Sequence, residues 1–119
     1  MNAVNKELIT SWLRTSATLR GALVRGVRFP DETFVTDVDA RDFSSTALEQ
    51  AWRLVADTFQ VLSAQRLPPS RLTWTYEKTI LHYAQRADGS IFGIVLSRKA
   101  DTDPATLDKL LTEFQELTA

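Results

Sequence analysis

The sequence predicts an α+β fold in the order α-β-β-α-β-β-β-α, with tight hairpins at residues 29–32 and 88–89. Three observations carry that prediction. Leu48, Trp52, Val55, Phe59 and Leu62 recur at steps of four, three, four and three, an apolar seam along a helix of about four turns. Residues 71–77 alternate instead, with Leu72, Trp74 and Tyr76 facing one way and Thr73, Thr75 and Glu77 the other, the period of a half-buried strand. Asp88-Gly89 then stands between two apolar runs, where residues that tolerate positive φ close a tight hairpin.

The remaining elements follow in chain order. Val4, Leu8, Ile9, Trp12 and Leu13 form one stripe on a first helix over residues 4–16. Residues 19–29 read as a strand, with Leu23, Val24 and Val27 among arginines. Phe29-Pro-Asp-Glu32 reads as a turn, with Pro30 fixing φ at its second position, and residues 33–38 return as the second strand. Thr46 and Glu49 have capping-box spacing at the start of the long helix, with Ser45 an equal candidate for the cap. Leu67-Pro-Pro69 ends that helix, because proline lacks the amide and clashes with the preceding turn. Residues 79–86 are the fourth strand. Residues 90–97, apolar on both faces, are the fifth and a central one. Asp103-Pro104 supplies an N-cap and a first-turn proline for a last helix carrying Leu107, Leu110, Leu111, Phe114 and Leu117.

Composition bounds the function. With 119 residues, the chain is expected to form one domain, residues 1–119. Fourteen Lys and Arg against fifteen Asp and Glu leave a net charge of −1, which argues against non-specific binding to nucleic acid or to an anionic membrane. Cysteine is absent, which excludes disulfides, thiolate metal sites and cysteine catalysis. The N-terminus does not read as a signal peptide, and Ile91–Leu96 is far short of the ~20 apolar residues of a membrane helix. A cytoplasmic location is expected.

The catalytic inventory is thin. His82, the sole histidine, lies in a strand with no His or Glu at ligand spacing, and reads as structural or exposed rather than as a general base. Asp37, Asp39 and Asp42 lack the glycine and distal glutamate of a calcium loop and read as a solvated acidic segment. Gly21-Ala-Leu-Val-Arg-Gly26 lacks the Lys-Ser/Thr ending of a phosphate loop, and no nucleophile elbow is present. No catalytic residue, cofactor or metal ligand is therefore assigned. Arg20, Arg25 and Arg28 are expected on a solvated or salt-bridged strand face. Trp12 is assigned to the core. Trp52 and Trp74 fit either the core or a protein–protein interface, where Trp is enriched.

Three segments resemble the roadblock / dynein light chain family: Leu19-Arg-Gly-Ala-Leu-Val-Arg-Gly-Val, the long helix over 45–66, and Asp88-Gly-Ser-Ile-Phe-Gly-Ile-Val-Leu96. The resemblance covers nearly the whole chain and rests on order and pattern. Two departures stand out. Phe29-Pro-Asp-Glu32 replaces the Asp-Gly common in the family's first hairpin, so that turn is expected to differ in type. Glu77-Lys78 lacks a glycine, which predicts a longer or bulged connection between the third and fourth strands.

The resemblance implies a five-stranded antiparallel sheet with the long helix on one face and the terminal helices on the other, a roadblock/profilin-like α-β-α sandwich. It implies a non-enzymatic scaffold or regulator that forms homodimers and binds a small Ras-like GTPase or a similar protein. Carried onto this sequence, the dimer and partner interface falls on Trp52, Val55, Phe59 and Leu62 of the helix and on Leu72, Trp74 and Tyr76 of the third strand. A third strand at a sheet edge would have unpaired backbone groups that a second chain could complete. The alternatives are a secretion-chaperone-like α+β dimer and a small-molecule sensory domain, the latter needing a pocket on the sheet.

Overall fold

The computed structural model describes residues 5–16, 18–36, 45–65 and 70–117. The elements are α1 (Lys6–Thr15), β1 (Ala22–Arg28), β2 (Phe34–Thr36), α2 (Ser45–Ala64), β3 (Arg71–Thr75), β4 (Thr79–Gln85), β5 (Ile91–Ser97) and α3 (Pro104–Glu116). All five strands join one antiparallel sheet in the order β2-β1-β5-β4-β3. The strand that is apolar on both faces, β5, is the central one, as its composition predicts.

Alternation along β5 divides the interior into two cores. Phe92, Ile94 and Leu96 pack with Ile9, Trp12 and Leu13 of α1 and Leu110, Leu111 and Phe114 of α3. Ile91 and Val95 pack with Leu48, Trp52, Val55 and Phe59 of α2. The sheet thus has α1 and α3 over one face and α2 over the other. On β1 the alternation is reset by a bulge. Ala22 lies opposite Leu96 and Val24 opposite Val95, so Leu23 is an extra residue that moves Ala22 into the first core and Val24 into the second.

Two arginines, one on β1 and one just past β4, satisfy helix C-termini, whose last carbonyls lack partners within the helix. Arg25 is 2% exposed. Its guanidinium donates to the Leu13 carbonyl at 2.7 Å and to the Ser16 hydroxyl at 3.1 Å, at the end of α1. The expectation of a solvated Arg25 is thereby corrected: an arginine on an inward strand position is stable when helix carbonyls take up its donors. Arg86 does the same for α3, donating to the Phe114 and Leu117 carbonyls at 2.6 and 2.8 Å. Helix starts follow local rules. Asn5 accepts from the Leu8 amide at 3.0 Å, and Asp103 accepts from the Ala105 amide at 3.2 Å, with Pro104 in the first turn. α2 already includes Thr46 in its first turn, so Thr46 is not the cap that the Thr46–Glu49 spacing suggests. The Leu67-Pro-Pro69 stop lies outside the described residues.

Two of the hairpins share one form, and the third revises an expectation. In the β1–β2 turn the Glu32 amide donates to the Phe29 carbonyl at 2.9 Å and the Phe29 amide to Thr33 at 2.8 Å, with Glu32 at φ +75°. The β4–β5 turn repeats this form: Gly89 donates to Arg86 at 3.0 Å, Arg86 to Ser90 at 2.9 Å, and Gly89 sits at φ +94°. Both are three-residue loops with the last residue left-handed. Phe29-Pro-Asp-Glu32 therefore takes the same loop as the Asp88-Gly89 hairpin, with glutamate in glycine's place. In each loop the aspartate accepts from the amide two residues on, Asp31 from Thr33 at 3.1 Å and Asp88 from Ser90 at 2.8 Å. The β3–β4 connection is short, not bulged. Only Glu77 and Lys78 separate Tyr76 from Thr79, whose carbonyl accepts from the Tyr76 amide at 2.8 Å.

Candidate interaction surface

The α2 layer rests on an aromatic row that crosses the sheet. Phe34 of β2 meets Trp52 edge-on at 5.1 Å between centroids, Trp52 meets Tyr83 at 5.2 Å, and Tyr83 meets Trp74 of β3 at 5.9 Å. The Trp52 N–H donates to the Gly26 carbonyl at 3.2 Å, fixing the ring over β1. The row closes down on Gly93, where a Cβ would lie 2.5 Å from both the Trp52 and Tyr83 rings. Burial pushes the Tyr83 hydroxyl well above its ordinary range, so it stays neutral.

This geometry separates the seven residues expected at an interface. Trp52, Val55 and Phe59 are fully enclosed between α2 and this chain's own sheet. Leu62, Leu72 and Trp74 are half-buried, and Tyr76, just past the end of β3, is 52% exposed. The heptad seam read from the sequence is thus the seam that α2 turns towards the sheet. A second seam escaped that reading. Leu54 and Val61, 57% and 61% exposed, lie across the helix from Trp52. Together with Ala47, Ala51, Thr58 and Gln65 they form an uncharged line at steps of four, three, four, three and four. The Thr58 hydroxyl is spent on the Leu54 carbonyl at 2.9 Å. A 3.5-residue repeat without charge was visible in the sequence. Its weak hydrophobicity beside Leu48–Leu62 concealed it.

The opposite flank of α2 is charged. Glu49 and Arg53 border a cleft of about 220 Å³ with Arg28, Glu32 and Phe34. On the uncharged flank an apolar groove of about 250 Å³ opens between the first turns of α2 and the β3–β4 hairpin, lined by Ala47, Ala51, Trp52, Tyr76, Leu81 and Val95 among others. Its hairpin wall is held by Arg98, whose guanidinium donates to the Tyr76 carbonyl at 2.9 Å and whose amide donates to Lys78 at 3.0 Å. β3 itself is an edge strand, paired among the described residues only with β4. On its other face Arg71 ties it to α3 through Asp108, Thr112 and Gln115 at 2.6, 2.8 and 3.2 Å.

His82 lies on β4, half-buried, with Nδ1 3.1 Å from the Thr73 hydroxyl, and burial lowers its pKa. Asp37, Asp39 and Asp42 fall outside the described residues. Among the described residues no group of three His, Asp or Glu side chains is placed to hold a metal ion, and no helix is long and apolar enough to cross a membrane.

No family model and no curated protein matches the sequence. Solved structures do match the fold. Myxococcus xanthus MglB superposes with a TM-score of 0.71 at 10% identity, over 98% of this chain and 90% of the other. A Roadblock/LC7 domain from Streptomyces avermitilis superposes with a TM-score of 0.59 at 11% identity, over 96% and 93%. The element order, the five-stranded sheet and the two helical layers agree with these likenesses: the chain folds as a roadblock/LC7-type domain.

Proposed function

We propose that the chain is a non-enzymatic scaffold or regulator that assembles as a homodimer and binds a small Ras-like GTPase or a similar protein partner. The observation that carries the reading is the uncharged outward seam of α2 beside the open edge of β3. A solvated helix face normally carries charge, and the opposite flank of this same helix does. An apolar line flanking an unpaired strand is suited to a protein surface. The roadblock/LC7-type fold supports the regulatory class, and the thin catalytic inventory agrees with it.

Light scattering at micromolar concentration tests the assembly: a particle of twice the 13.4 kDa chain mass is expected, and a monomer refutes the dimer. Trp74→Glu, at the half-open edge, should shift the mass towards monomer while the α1/α3 layer stays folded. Pull-down of a Ras-like GTPase from lysate of the source cell tests the partner. Failure to recover one at near-stoichiometric yield counts against that half of the proposal.

A further inference from the structure

The cleft between the β1–β2 hairpin and the charged flank of α2 is bordered by two arginines and two glutamates, and we propose that it binds the zwitterion of a small free amino acid with an apolar side chain. Arg28 takes the carboxylate, Glu32 and Glu49 hold the ammonium, and the ligand's side chain lies on the Phe34 ring. The site is on the flank of α2 away from Leu54 and Val61, so it stands apart from the assembly and the partner proposed above.

The first argument is the state of Arg28. It closes β1 directly opposite Phe34 of β2, and the two side chains share the face that α2 covers. Its side chain is only 16% exposed. Yet its one ion pair among the described residues is the 3.8 Å contact to Glu32, whose side chain is 81% exposed. At that distance the pair is beyond hydrogen-bond range. Arg25 and Arg86 are as well covered, but their donors go to helix carbonyls. A covered guanidinium with donors unspent is costly, and a carboxylate is the group that its fork geometry takes best.

The second argument is the balance of sign. Glu49 and Arg53 stand about one turn apart on α2, about 6 Å along its axis, and neither makes an ion pair among the described residues. An exposed pair at this spacing would contribute little to stability, so engaging a ligand costs the helix little. A ligand of one sign, phosphate included, meets two repelling groups for two attracting ones. A ligand that carries both signs and no net charge can turn each end to its opposite. The floor beneath is apolar and fixed. Phe34 lies across Gly26, where a Cβ would come within 2.8 Å of its ring, and it meets Trp52 edge-on at 5.1 Å. At about 220 Å³ the cleft is smaller than the ~300–1,000 Å³ of sites for drug-sized molecules, and it suits a single amino acid.

Calorimetric titration of the full chain tests the site, with L-leucine and L-phenylalanine as probes beside their N-acetyl and C-amide forms and inorganic phosphate. At least one of the two free amino acids should bind saturably and raise the melting temperature with concentration. Removing either charge of the probe should weaken binding by about tenfold or more, the scale of a lost charged hydrogen bond. Arg28→Gln and Glu49→Gln should each weaken it by a similar factor. Glu49 is exposed on the helix, so its variant keeps the fold. No saturable binding of either amino acid at millimolar concentration overturns the proposal. Binding of the N-acetyl form or of phosphate as tight as that of the free amino acid also overturns it, because the cleft would then be a plain anion site. Binding that ignores both substitutions overturns it too, by putting the ligand elsewhere. The mass of the assembly and the recovery of a GTPase are read separately and bear on none of these outcomes.

Discussion

The guanidinium of Arg25 reaches out of the middle of β1 to the carbonyl of Leu13, 2.7 Å away at the end of α1. The contact is buried and charge-assisted, and it uses a carbonyl that the helix itself leaves unpaired. Arg25→Met should lower unfolding free energy by about 2 kcal/mol, the scale of a lost charged hydrogen bond with a desolvated acceptor left behind. Arg20→Met, at an exposed position, should change it by less than about 0.5 kcal/mol. Urea denaturation of both variants gives the comparison, and equal effects would remove Arg25 from the capping role.

Glu32 occupies a left-handed conformation that its equivalent in the second hairpin assigns to glycine. The strain costs roughly 1–2 kcal/mol. Its ion pair with Arg28 is 3.8 Å long and the Glu32 side chain is 81% exposed, so it offsets little of that. Glu32→Gly should raise the melting temperature by a few degrees. Gly89→Ala should lower it, because Gly89 is left-handed and a Cβ there would lie 3.2 Å from Pro30 of the neighbouring turn.

Gly93 is held at the base of the aromatic row. A single methyl group there would stand 2.5 Å from Trp52 and from Tyr83, and neither ring can retreat, because Trp52 is bonded to Gly26 and Tyr83 is wedged between Trp52 and Trp74. Gly93→Ala should destabilise the fold by about 1–3 kcal/mol, with the tryptophan near-UV dichroism reduced. An unchanged denaturation midpoint would show that α2 can lift from the sheet at no cost.

Acid should destabilise the protein in two steps. Burial lowers the His82 pKa below its ordinary 6.5, so the unfolded chain binds the proton more readily. That contribution is complete above pH 6.5 and is lost as pH falls from there towards the folded value. The second step lies lower. The Thr106 hydroxyl and the Ala105 amide lower Asp103, while Lys6 and Thr33 lower Asp31. Partial burial raises Asp88, but the Ser90 amide and the Arg86 guanidinium outweigh it and leave Asp88 lowered too. These carboxylates contribute above an unfolded pKa of about 3.9 and lose that contribution as pH falls through their folded values. His82→Gln should abolish the upper step of a stability-against-pH curve and leave the lower one.

The architecture was legible because period and punctuation agreed at each element. The heptad of α2, the alternation from Leu72 to Tyr76 and the doubly apolar β5 each pointed to the element that formed. What escaped was decided by partners distant in sequence. Arg25 looked like a surface residue because the carbonyl that shelters it belongs to α1, twelve residues earlier. The shared form of the two tight turns was not read, because glutamate rarely accepts positive φ, yet the loop between β1 and β2 imposes it on Glu32. At the candidate surface the strongest apolar signal belongs to the chain's own core. Trp52, Val55 and Phe59 were prominent because the chain uses them itself, whereas Leu54 and Val61 were inconspicuous among small and polar neighbours.

The aromatic row also makes the molecule its own optical instrument. Trp12 lies in the α1/α3 layer against Phe92 and Phe114, Trp52 is sealed under α2, and Trp74 stands at the half-open margin of β3. One fluorophore therefore belongs to each of three compartments: one core, the other core, and the rim. An event at the rim would alter Trp74 emission and leave Trp12 as an internal standard. With Trp12→Phe and Trp52→Phe variants in hand, ordinary fluorescence could assign any spectral change on association to a side of the sheet without an attached dye.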